Sequence, residues 1–219
     1  MVSGPNIKWS PSSASLIGDL AMDAEYTIEL ASEDPVLDFP WKDPSGKLSY
    51  VDIKRHPELI STLVEAERFP ELAEFLTAIN SARSVLETAK CDVWETDELT
   101  PEEEVFEASH KFASYIDLVF IACGGDPPRD LQPPRLSFSS HENLARQLVE
   151  LLRKAPAPSS TCELCVRRCF YEGTEAVQEG FYFTLYVNGY GADQHAARQH
   201  WEIGLRLVKH ALLQLSSRV

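Results

Sequence analysis

The stretch from Phe181 to Leu215 constrains the fold more than any other. In "GFYFTLYVNGYG", Phe181, Phe183, Leu185 and Val187 alternate with Tyr182, Thr184 and Tyr186, the period of a strand with one face buried. Asp193 then stands where a helix N-cap belongs, and a helix is predicted from about Gln194 to Leu215. Its stripe of Ala197, Trp201, Gly204, Leu205, Val208, Leu212 and Leu215 must be buried against something. A strand and a long helix that both need apolar cover, joined by a short turn, call for a sheet with helices packed on it.

Upstream, "EYTIELA" and "SVLETAKCDVW" read as strands. "KFASYIDLVFIA" is a stronger one, with Phe112, Ile116, Leu118 and Phe120 facing one way and Tyr115, Asp117 and Val119 the other. "PEL" occurs at 57 and 70 and starts two short helices that break near Phe69-Pro70. Thr100-Pro101-Glu102-Glu103 has capping-box spacing for a helix over about 101–109. "RLSFS" reads as a short strand, and Ser139 with Glu142 as the start of a helix over His141–Lys154. Residues 32–50, with Phe39 and Trp41, show no period and are expected as a loop. The order predicts an α+β protein: mostly antiparallel sheet or sheets from two βαββ-like halves, closed by a long C-terminal helix. An irregular lead-in, 1–22, precedes an acidic half, 23–124, and a second half, 125–219. The length of 219 residues fits one domain or two.

The net charge of −14 is unevenly placed. Residues 1–110 hold 23 acidic against 8 basic residues, and 111–219 hold 11 against 12. The excess peaks at Asp97, Glu98, Glu102, Glu103, Glu104 and Glu107, with no Lys or Arg between Lys90 and Lys111. Such a surface repels the nucleic-acid backbone and attracts a basic macromolecular partner. No run of apolar residues reaches membrane-spanning length and the first residues lack a signal-peptide pattern, so a cytoplasmic location and no membrane partner are expected.

Three of the five cysteines fall in "CELCVRRCFYE". As a strand, the preferred reading, it puts Cys165 and Cys169 on one face about 13 Å apart, with Cys162 on the other. As a helix, the alternative, it still separates Cys162 from Cys169 by roughly 10 Å along the axis. Neither gathers three thiolates around one ion, so no metal, no other cofactor and no disulfide framework are expected, only free cysteines.

No nucleophile elbow, phosphate loop or helical histidine pair is present, so no catalytic residue is assigned. The strand alternation instead gathers Tyr182 and Tyr186, with Tyr190 beyond and Glu163 and Arg167 beside them, on the face turned from the apolar residues. A non-enzymatic binding protein of adaptor, inhibitor or immunity type is expected, and the alternative is a small-molecule binder or enzyme with its pocket on that tyrosine face. Ile203, Leu207 and Leu213 lie off the helix stripe, where a second copy or a loop would cover them.

Overall fold

The computed structural model describes residues 21–100, 103, 107–121, 137–157, 159–172 and 177–216. The fold is α+β. The strands are β1 (Asp23–Glu29), β2 (Val36–Phe39), β3 (Leu86–Thr96), β4 (His110–Phe120), β5 (Ser160–Glu172) and β6 (Val177–Gly191). The helices are a 3₁₀ turn at Pro57–Thr62, then α1 (Val64–Arg68), α2 (Pro70–Ile79), α3 (Phe138–Leu152) and α4 (Gln194–Ser216). All six strands belong to one open sheet in the order β1-β5-β6-β4-β3, and β2 continues the β1 edge along β5. Pairing is antiparallel among β5, β6, β4 and β3, while β1 and β2 run parallel to β5.

The sheet's order puts β6 centrally, and α4 lies on it. Every residue of the anticipated α4 stripe is buried, with Trp201 fully enclosed by packing against Phe69 and Phe112 and donating its indole N–H to Ser114 Oγ at 2.9 Å. Asp193 caps the helix by accepting from Ala196 N at 2.8 Å. Phe183, Leu185 and Val187 of β6, Ile116 and Leu118 of β4, and Leu164 and Val166 of β5 join Leu72, Phe75, Leu76 and Leu148 from the helices in the main core. The helices therefore occupy one face of the sheet.

Two sequence readings need correction. "RLSFS" is no strand where it is described: Ser137 is the N-cap of α3 and accepts from Ser140 N at 3.3 Å, while Phe138 and Ser139 are already helical. Phe138 packs on Phe181, so its apolar side chain serves a helix's first turn. The α3 start at Ser139–His141 moves accordingly. The loop reading of 32–50 missed β2, whose buried Leu37 and Phe39 alternate with exposed Val36 and Asp38 between two prolines, a placement that edge strands tolerate. The cysteine segment is strand β5, so its helical alternative falls. Of the anticipated 101–109 helix only Glu103 and the last residues lie within the described part.

Gly189 and Gly191 set how closely α4 approaches β6. A Cβ at Gly189 would fall onto Trp201 N and Ala197 O, and one at Gly191 onto Ala197 N. The obstructing atoms are backbone and have no rotamer to give. Gly189→Ala is expected to cost about 3 kcal/mol, roughly 6–12 °C in Tm by thermal unfolding. An unchanged Tm would contradict this seating of α4.

Candidate functional site on the helix-free sheet face

The face turned away from the helices has two unlike parts. One is closed. Leu37 and Phe39 of β2 join Ala89, Val119, Cys169 and Tyr182 in a second, smaller core, flanked by Trp41, Tyr50, Ile121 and Tyr171. Trp41 Nε1 donates to Ala89 O at 2.6 Å and the Tyr50 hydroxyl donates to Glu87, which pins the 40–50 segment over the sheet. That segment gives Phe39 and Trp41 their place.

A polar belt bounds this closed part. Arg167 on β5 donates from Nε to Glu29 Oε2 on β1 at 2.7 Å and from Nη1 to Thr184 Oγ1 on β6 at 2.9 Å, with Tyr186 Oη at 3.4 Å. Thr184 Oγ1 in turn donates to Asp117 Oδ1 on β4 at 2.6 Å. Four strands are thus linked by one chain of hydrogen bonds. Burial opposes the Arg167 charge, but the bonds to Glu29 and Tyr186 outweigh it and make the guanidinium more basic than usual. Asp117 is only 6% exposed. Burial raises its pKa, against the hydrogen bond from Thr184 and the charges of Lys90 and Arg167.

Beyond the belt the face is open. Tyr186 and Tyr115 are register partners on β6 and β4 with ring centroids 6.4 Å apart, and Trp94 on β3 lies 6.5 Å from Tyr115. Trp94 is 38% exposed and both tyrosines are half-buried. Arg167 sits over the Tyr186 ring at 5.7 Å. Carboxylates surround this aromatic row: Asp92 is the register partner of Tyr115, Glu163 of Tyr186, and Glu25 of Glu163. Burial, then the nearby charges of Asp117 and Asp92, push the Tyr115 hydroxyl up to about 12, so it stays a neutral donor.

The structure brings together Glu163, Arg167 and Tyr186 and separates the other two tyrosines from them. Tyr182 is 3% exposed beneath the second core. Tyr190 is buried and donates to Glu103 Oε1 at 2.8 Å. Glu103 is also held by Lys111 Nζ at 2.5 Å, so this member of the acidic segment points inward. Asp97, Glu98 and Glu107 are exposed, and Glu102 and Glu104 lie outside the described residues. A cleft of about 270 Å³ opens where Glu95, Thr96 and Asp97 meet His110, Lys111 and the first turn of α4.

Glu29, Glu163 and Cys165 each present a ligand atom within 4.8 Å of the others. Their partners are already internal: Glu29 holds Arg167, Thr27 donates to Cys165 at 3.3 Å, and Cys165 reaches Glu163 at 3.7 Å. Burial pushes the Cys165 thiol up to about 12, which keeps it protonated and a poor metal ligand. Cys91, Cys162, Cys165 and Cys169 are free thiols.

No protein-family model, curated protein or solved structure matches this chain.

Sequence reasoning missed Asp117, Glu29, Thr184, Tyr115 and Trp94 as site residues. The signal for two of them was present, since Tyr115 and Asp117 occupy the outward positions of an otherwise apolar strand.

Because its pKa is raised on folding, Asp117 favours the folded state most when protonated, below the ordinary value of 3.8, and that contribution is lost as pH rises through its raised folded value. Asp117→Asn, which keeps an acceptor for Thr184, is therefore expected to match the parent near pH 3 and to exceed it in urea midpoint at pH 7. A constant gap between the two across that range would show that Asp117 ionises as in the unfolded chain.

Proposed function

We propose that this chain is a non-catalytic cytoplasmic binding protein that engages a basic macromolecular partner through its acid-rich first half. The observation that carries this reading is the row of Trp94, Tyr115 and Tyr186 set among Asp92, Glu25 and Glu163 on the open part of the sheet face. Aromatic rings with an apolar body and a polar edge anchor interfaces, and a lysine or arginine over such a ring gains from both its π-face and the neighbouring carboxylates. The first half supplies Glu25, Glu29, Asp92, Trp94 and Tyr115 to this surface, and exposed Asp97 and Glu98 extend its negative potential past the end of β3. Potential of one sign over a broad face speeds encounter with an oppositely charged partner.

No helix among the described residues is long and apolar enough to cross a membrane. Ile203 is 41% exposed on α4, whereas Leu207 and Leu213 pack against the core, so the helix offers a single apolar side chain, rather than a row of three, to a second copy. A small ligand, the alternative reading, would have to use the Tyr186 end of the face, since Tyr182 is buried in the second core.

The test is affinity capture of proteins from source cells at low and moderate salt, comparing the parent with Trp94→Ala and with Glu25→Lys/Asp92→Lys. A basic partner is expected to be held at low salt and released near 0.15 M, where exposed charges are screened beyond about 8 Å. Loss of an anchoring tryptophan is expected to weaken it by about 2 kcal/mol, roughly thirtyfold. A partner retained equally by all three proteins would overturn the assignment to this face.

A further inference from the structure

We infer that the outer edge of β3, from Cys91 to Thr96, takes up an extended basic segment of the partner as an added strand. This rests on the basic-partner reading and specifies how such a partner is held.

β3 ends the sheet, and β4 is the only strand paired with it among the described residues. Among the described residues Trp41 occupies the Ala89 carbonyl, and a bulge breaks the register between Thr88 and Lys90. Beyond that point Val93 N–H closes onto the side chain of the residue before it, donating to Asp92 Oδ1 at 2.7 Å. A ladder amide satisfied in this way faces away from β4, and strand alternation sends the amides of Cys91 and Glu95 the same way. The edge thus keeps backbone donors and acceptors in place for another strand, the mode by which sheets capture extended peptides.

The chemistry of the added strand follows from register. Asp92 and Trp94 lie on the open face and take cationic side chains at alternate positions, one paired with a carboxylate and one over an indole. Cys91 and Val93 lie on the helix side beside the main core and take apolar ones. A partner carbonyl that accepts from Val93 N–H also releases the Asp92 carboxylate for the partner's cation, so backbone pairing and charge recognition reinforce each other. A second copy of this chain fits poorly, because two β3 edges would align Asp92, Glu95, Asp97 and Glu98 of both chains with no cation between them.

The probe is a short synthetic peptide alternating lysine and valine, compared with the same sequence N-methylated at alternate residues, which keeps the charge and removes the ladder donors. Hydrogen exchange followed by NMR at residues 91–96 is the readout. The unmodified peptide is expected to bind, to slow exchange at Val93 and Glu95 roughly tenfold or more, and to lose at least that factor in affinity on methylation. Equal binding of both peptides, without protection of those amides, would overturn strand addition and leave the charge-based reading standing. Binding of neither would also overturn strand addition, while the basic-partner reading is judged separately by its salt-dependent capture.

Discussion

The Arg167 guanidinium is the constraint on which the sheet's second face depends. It is a charge placed at the middle of a sheet, and it is tolerated because Glu29, Thr184 and Tyr186 surround it and Thr184 relays the contact to Asp117. Removing one partner from a buried ion pair costs about 3–5 kcal/mol, far more than a surface pair is worth. The pair also fixes registry. Glu29 and Arg167 are direct partners in the parallel β1–β5 pairing, and a slip of one residue would turn Glu29 to the helix side.

From that belt the rest of the face divides. On one side the chain between β1 and the first helical turn folds back over the sheet, and Leu37, Phe39, Trp41 and Tyr50 close a small apolar core. On the other side no described element covers Tyr186, Tyr115 and Trp94, and the residues around them are carboxylates. The helix-bearing face, with its single large core under α2, α3 and α4, provides stability without involving these groups. The proposed recognition surface is thereby one half of one face, next to the edge of β3 that no second described strand pairs.

Much of this was legible in the chain. Alternation placed β4, β5 and β6 with the correct faces, and the α4 stripe and its Asp193 cap follow the 3.6-residue rule because α4 packs on one side only. β2 escaped notice because four residues between prolines give too little period to stand out. "RLSFS" misled because a serine-capped first helical turn with one large apolar residue has the same local composition as a short strand. The tyrosine group was half legible: period two puts Tyr182, Tyr186 and Tyr190 on one face, but nothing local reports that the 34–51 excursion covers the first and that Glu103 holds the last. Glu29 and Asp117 reach Arg167 only through sheet order, which depends on contacts far apart in sequence.

Whether Trp94 stands exposed on an acidic face beside Asp92 is decided by fluorescence quenching with caesium and with iodide, taking the difference between the parent and Trp94→Phe. Trp94 emission is expected to be quenched more strongly by the cation than by the anion, with the gap closing as salt is added. Quenching by iodide as strong as by caesium, or no quenching of the Trp94 component by either, would contradict an open acidic face.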